Sequence, residues 1–370
     1  MRRRWGRNPW SAASLARPTR SEPWRGAAFV RASSPCHFSS HRERGNAPRN
    51  RRSQHCNMNS DTTTLSHLSA FLSAQAAVGD KLAITRAYAR AQPLAGAIKI
   101  GDDCAAIPDN GGFLLFAGEE MLESFVSNDP WFAGYSAVMV NLSDIAAMGG
   151  RPLAIIDILW TPGLEQATAI WEGIAAASQA YGVPLVGGHT TITGSGRIFL
   201  GAAVLGRAQR LITSFDARPG DELLLAVDLR GKYQGNKPFW NASVAAPAER
   251  LRGDLALLPD LAEKGWVRAG KDISNGGIIG TLAMLLQCSR VGAELWLDRI
   301  LSPDGADLAR WLISFPSFGF LLSVDPSQVA NVTAAFNDRQ IACNRVGEIT
   351  GSGTFVLVYG TARETFPVTV

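Results

Sequence analysis

Carboxylates, and one imidazole, recur in this chain where apolar runs begin or end. Asp102 and Asp103 lie in Gly101-Asp102-Asp103-Cys104-Ala105. Glu119 follows an apolar run over 113–117, Asp144 sits near the end of an apolar helix, His189 follows Gly187-Gly188, and Asp272 precedes Ile273-Ser274-Asn275-Gly276-Gly277. In α/β proteins such junctions display functional groups. Several acids at such places suit Mg²⁺, which takes few carboxylates and leaves room for water and substrate phosphates. Asn141 and Asp144 are three apart and so share a helix face. That face is otherwise small or apolar, and a buried carboxylate needs a partner. A metal ion is one candidate; a nearby Arg or a backbone N–H is the other. Ser274 or Asn275 can cap the helix that follows, and its N–H groups would suit a phosphate. A capped helix with no ligand explains the same residues. His189 reads either as a hydrogen-bonded structural residue or as a ligand. Cys104 reads as a small buried filler.

These residues need elements to hold them. Val138, Asn141, Leu142, Ile145 and Met148 recur at three- and four-residue steps, which predicts a helix with one buried face. Asp129-Pro130 starts it and Gly149-Gly150 with Pro152 stops it. The pattern predicts two short helices over 63–92, broken near Gly79-Asp80, and strand, turn, strand over 98–107. It predicts further strands over 113–117, 153–160, 183–186 and 197–205, and a helix over 164–181 closed by Gly182. After Arg218-Pro219-Gly220-Asp221 a second half begins. Its strands are expected over 222–227, 294–297, 318–324, 341–348 and 354–359, and its helices over 254–264, 276–289 and 326–337. Residues 231–252 read as a long loop.

Composition divides the chain. Residues 1–57 hold 13 Arg and no Lys against 2 Glu and no Asp, whereas the rest carries 23 basic and 30 acidic residues. The basic segment fits a transit peptide, a disordered basic arm, or translated upstream sequence before a start at Met58. The last fits best, because helical periodicity begins just beyond Met58. The body is mildly acidic, so nothing in it suggests a nucleic-acid surface. No run of 18 or more apolar residues exists to span a membrane. The 5 Cys form no paired or zinc-type spacing, which suits a reduced, cytoplasmic protein. The expected organisation is a tail over 1–57, an N-terminal α/β domain over 58–210 and a C-terminal domain over 211–370.

Taken in order, the motifs resemble one superfamily: aminoimidazole ribonucleotide (AIR) synthase, thiamine-monophosphate kinase, selenophosphate synthetase and a hydrogenase maturation protein. Gly101 to Ala105 resembles the kinase's G-D-D-x-A turn, Asn141 to Gly149 its N-L-S-D-x-A-A-M-G helix, Arg218 to Asp221 its K/R-P-G-D segment, and Asp272-Ile273-Ser274 its D-[IL]-S-D-G. Within the superfamily the chain is most similar to the AIR synthase-related proteins. The resemblance implies a two-domain α/β (α+β) fold whose N-terminal domain pairs with its copy into a shared β-barrel, giving a homodimer. It implies ATP and Mg²⁺ in the cleft and phosphoryl transfer to an oxygen of a small molecule. By position, Asp103, Glu119 and Asp144 would hold Mg²⁺. Asp102, Asn141, His189, Asp272, Ser274 and Asn275 would contact the nucleotide or support the metal. Glu119-Glu120 replaces the kinase's T-D pair, His189 and Asn275 replace acids, and Ser317 to Leu322 lacks its G-E-D-Y-E-L. These departures weigh against thiamine monophosphate as acceptor. The other alternative is a nucleotide-binding, non-catalytic subunit of a partner enzyme.

Overall fold

The computed structural model describes residues 58–92, 98–194 and 196–367. The basic segment 1–57 lies outside the described residues. The chain opens with α1 (Met58–Ser73) and α2 (Ala76–Ala91). Then come β1 (Ala105–Asp109), β2 (Gly112–Met121), α3 (Glu123–Asn128), α4 (Pro130–Ala147), β3 (Arg151–Thr161), α5 (Leu164–Tyr181), β4 (Leu185–Ile192) and β5 (Phe199–Ala208). The strands form a mixed sheet in the order β1-β2-β5-β3-β4. One face of it carries α4 and α5, through Leu115, Ile155, Leu159, Leu200 and Val204. The other face is bare: Phe116, Ile156, Ile158, Trp160, Phe199 and Leu205 are exposed.

The second half runs β6 (Glu222–Val227), β7 (Lys232–Tyr233), β8 (Phe239–Asn241), α6 (Ala248–Leu255), α7 (Leu257–Lys264), β9 (Ala269–Asp272) and α8 (Gly277–Ser289). It continues through β10 (Gly292–Trp296), α9 (Leu308–Leu312), β11 (Phe315–Pro316), β12 (Gly319–Val324), α10 (Val329–Asn337), β13 (Ala342–Thr350), β14 (Phe355–Tyr359) and β15 (Ala362–Thr365). Seven strands order as β15-β14-β10-β13-β6-β12-β9. Leu223, Leu225 and Val227 pack on α8 and on Leu65, Leu72 and Val78 of the N-terminal helices. Leu224 and Ala226 point the other way, onto α7 and α10. Burial on both faces is why 222–227 reads as an unbroken apolar run. Although α1 and α2 precede the first sheet in the chain, their core residues belong to the second.

Several expectations are corrected. The helix break falls at Ala74–Gln75, and Gly79 lies inside α2, where a side chain would meet open space. Residues 98–104 are bends and coil, not a strand. β2 runs on to Met121 and β4 to Ile192, so Glu119 and Gly187 to Thr190 lie within strands. Ladder pairing with β5 and β3 carries both past their glycines. The helix expected over 254–264 is α7, Leu257–Lys264, and a separate α6 precedes it. Pro259 cannot donate to the carbonyl four residues back, and its ring crowds that group. The loop expected over 231–252 holds β7 and β8, which build a small sheet with β11, and the start of α6.

The predicted one-faced helix, α4, is buried nearly all round. It lies between the first sheet and α5, and its last turn, Ala146 and Ala147, packs into the second half. Close approach to α5 depends on two glycines. A Cβ on Gly134 would strike the Ile170 carbonyl oxygen, and one on Gly173 the Trp131 carbonyl oxygen. Gly173→Ala is therefore expected to lower stability by about 3 kcal/mol, the upper range for overpacking. Chemical denaturation checks this; a change within about 0.5 kcal/mol, the usual range for surface sites, would contradict it.

Candidate functional site

The last turn of α4, the bend before β1 and the end of β9 converge. They bring Asp103, Asp144 and Asp272 together, with one carboxylate oxygen from each within 4.8 Å of the others. Asp144 and Asp272 are 6% and 3% exposed, and the Asp103 side chain is 4% exposed. Asp103 Oδ1 pairs with the Lys271 ammonium. Asp103 Oδ2 and Asp144 Oδ2 are buried and accept no hydrogen bond. Orphaned anionic oxygens of this kind are costly.

The electrostatics express that cost. Burial, then the Asp103 charge, pushes Asp272 up to about 7. Burial, then Asp272, Glu119 and Asp103, holds Asp144 well above the ordinary carboxyl range. Burial works against the charge on Lys271, but Asp103, Asp272 and Asp102 outweigh it and keep its ammonium above its usual range. Like charges and desolvation both favour protonated carboxyls, and a bound cation would reverse that preference. The donor set fits a hard cation. Around an octahedral Mg²⁺ neighbouring ligand oxygens would stand ~3.0 Å apart and opposite ones ~4.2 Å, so the three acids would draw together around the ion.

Other expected residues take different places. Asp102 faces away from the cluster: its carboxylate accepts from Ser214 N–H at 2.9 Å, Ser214 Oγ–H at 2.6 Å and its own neighbour's N–H at 3.0 Å. It is a clamp that ties the Asp103 bend to the second half, and burial, then Asp103, moves it up to about 6. Glu119, expected as the third metal ligand, is exposed, lines the same cleft and lies outside the group of three acids. Partial withdrawal from water and the Asp103 charge raise its carboxyl. Asp272, expected in a supporting role, joins Asp103 and Asp144 in the group of three. Asn141 is fully buried and donates to the Ala137 carbonyl of its own helix at 2.7 Å. His189 is exposed on the edge strand β4, beside the Thr191 hydroxyl at 3.2 Å, and is not brought to the acids.

Ser274 and Asn275 line the cleft, but neither caps α8. Its cap is Gly276, in the left-handed region at φ 86°, with no side-chain hydrogen bond. Ser274 Oγ accepts instead from Lys81 Nζ at 2.7 Å. Lys81 and Lys271 were missed as site residues. Lys81 is 7% exposed, and burial followed by Lys271 lowers its ammonium to about 8. It comes from α2, far away in sequence, and no local motif marks it; Lys271 could have been found as the neighbour of Asp272.

Asp144 and Asp272 line a cleft of about 360 Å³ between the halves, and Asp103 stands behind them. The rest of its wall is mostly aromatic and apolar, including Phe125, Phe132, Phe239 and Phe315.

A two-domain α/β chain with a carboxylate cluster at its domain junction is the class of protein so defined. The AIR synthase related protein N-terminal domain matches residues 101–208 and its C-terminal domain residues 228–360, and the chain belongs to this family. It is 50% identical over 271 residues to the uncharacterized protein sll0787 of Synechocystis sp., covering 73% of this chain and 84% of that one. It is 30% identical over 190 residues to selenide, water dikinase of Carboxydothermus hydrogenoformans, covering 49% of this chain and 54% of that one. The fold matches T. maritima PurL complexed with ATP at TM-score 0.62 and 20% identity, over 70% of this chain. The match spans 44% of that longer protein.

Proposed function

We propose that the protein binds ATP with Mg²⁺ and transfers the γ-phosphoryl group to an oxygen of a small molecule. The observation that carries this reading is the cluster of Asp103, Asp144 and Asp272, with two buried oxygens that accept no hydrogen bond. Mg²⁺ held there would neutralise phosphate charge, which is most of what phosphoryl transfer asks of a protein. Lys81 and Lys271 set two ammonium groups beside the same point. The start of α8, without a side-chain cap, leaves backbone N–H groups for a phosphate. The acceptor oxygen bonds to the γ-phosphorus, the bond to ADP breaks, and the acceptor's proton passes to water.

Release of ADP from Mg–ATP in the presence of small hydroxyl compounds, above a protein-free control, tests the reading. A second reading, a non-catalytic nucleotide-binding subunit, is favoured by His189 and Asn275 standing where the kinase pattern has acids. Tight Mg–ATP binding with no ADP formed from any acceptor would decide for it.

We further propose a homodimer, in the cytoplasm, formed through the first sheet. Its bare face carries Ile156, Ile158 and Trp160, which are 39%, 48% and 49% exposed. Clustered exposed apolar residues of this kind mark interaction surfaces. β4 leaves one edge unpaired, which is a liability in a monomer. Sedimentation at micromolar concentration is expected to give a dimer, and Trp160→Glu a monomer with its fold retained. A monomeric wild type would end this proposal.

A further inference from the structure

The far end of the cleft is built from four rings drawn from four separate segments. Phe125 meets Phe132 at 5.7 Å between ring centroids and Phe239 at 5.6 Å, and Phe239 meets Phe315 at 6.3 Å. The chain of tilted and edge-on contacts makes a continuous aromatic wall. Ser136, Asn241 and Ser317 add small polar groups to the same space. Among the described residues lining the cleft there is no Lys, Arg or His, while Glu119, Glu120, Asp144 and Asp272 all line it. Every formal charge among these described residues is therefore negative. A cleft of about 360 Å³ lies within the ordinary range for small-molecule sites. Sites that hold a phosphate or carboxylate group generally present Arg, Lys or a cluster of N–H donors to it. Only the acid end, through a bound cation, Lys81, Lys271 and the start of α8, can do so. Among the described residues, the aromatic end offers no cationic side chain to compensate a second anion.

We infer that the aromatic end seats a flat, uncharged ring carried by the phosphoryl acceptor, and that this acceptor bears no phosphate or carboxylate group of its own. The inference rests on the reading above for where the transferred phosphoryl lies. The rings supply apolar area and edge-to-face contacts. The carboxylates lining the cleft repel an anionic competitor, so the wall selects by exclusion as well as by attraction. The adenine of ATP offers the same flat, uncharged chemistry, and the experiment separates the two sources.

The probes are 2-naphthalenemethanol and 6-(hydroxymethyl)-2-naphthoate, which keeps the alcohol and adds a carboxylate on the opposite edge, followed on the full-length protein by ligand-observed NMR. The alcohol is expected to bind, and the naphthoate to bind about tenfold more weakly or not at all; equal binding of the two overturns the proposal. Saturating Mg–ATP is then added. Alcohol binding that persists within about twofold supports an acceptor seat. Displacement by Mg–ATP assigns the wall to adenine and overturns it. Phe239→Ala should weaken the alcohol at least about fivefold. Because that change could disturb the small sheet, Leu122→Arg gives a second reading. Leu122 lines the cleft, is 64% exposed, and can be replaced without a core penalty. The added cation should strengthen the naphthoate probe at least about fivefold, and no gain would count against the charge argument. Failure of Mg–ATP to bind at all would remove the ATP reading and the acceptor assignment with it. The preference between the two probes would still stand or fall by the first comparison.

Discussion

Asp144→Asn is expected to lower Mg²⁺-dependent ATP affinity at least about tenfold, or roughly 1.4 kcal/mol, while the fold is kept. The substitution preserves shape and removes one charge from three acids whose oxygens lie within 4.8 Å of one another. If Asp144 were a structural acid, its loss would leave ATP binding unchanged and lower stability. The hydrogen-bond pattern argues otherwise, because Asp144 Oδ2 accepts nothing. No bond at that oxygen is there to lose, whereas repulsion from Asp272, Glu119 and Asp103 is there to be relieved. Stability without metal should therefore hold or rise. Calorimetric titration of ATP, with and without Mg²⁺, on wild type and variant decides the matter. Equal affinities in Mg²⁺ would show that the cation sits elsewhere.

What the sequence revealed follows the range of the forces involved. The helix Leu164–Tyr181 and the strand Glu222–Val227 are legible to the residue. In the first, periodicity runs into Gly182, whose φ of 72° closes the helix locally. In the second, both faces are buried and the apolar run is continuous. Errors arise where distant partners overrule local signals. Gly118 looks like the end of a strand, but pairing with Ala203 carries β2 through it. Gly187-Gly188 looks like a turn, yet β3 holds both in register.

The site shows the same division. Asp103, Asp144 and Asp272 are visible as acids in recognisable motifs, but their grouping is not. The bend that carries Asp103 is set by Asp102 gripping Ser214, a contact across 112 positions. Adjacent carboxylates with one local sequence thus take opposite tasks, one holding the bend and one facing the cluster. Lys81 reaches Ser274 across 193 positions. The aromatic end of the cleft likewise joins α3, α4, β8 and β11, and no single stretch announces it.

Without divalent cation, the stability of the folded protein is expected to fall as pH rises from about 4 to about 7, and Mg²⁺ should offset much of that fall. Folding raises Asp272 from its usual value of 3.8 to about 7 and raises Asp144 in the same direction. Between those limits the folded state binds more protons than the unfolded state, so stability declines with pH. The contribution is fully present below the unfolded value and lost as pH passes through the folded one. Lys81, lowered to about 8, acts with the opposite sign only above that pH, outside the window. Mg²⁺ needs ionised carboxylates, so it should stabilise strongly near pH 7.5 and hardly at pH 4.5. At a concentration a hundred times its dissociation constant the gain is about 2.7 kcal/mol. In a body of this size that corresponds to roughly 4 °C in melting temperature. Other acids titrate over the same range, so the measurement is a difference between wild type and Asp272→Asn. The variant should lose both the extra pH slope and most of the Mg²⁺ response. Melting curves in which Mg²⁺ stabilises wild type and Asp272→Asn alike, or equally at both pH values, would place the cation outside this cluster.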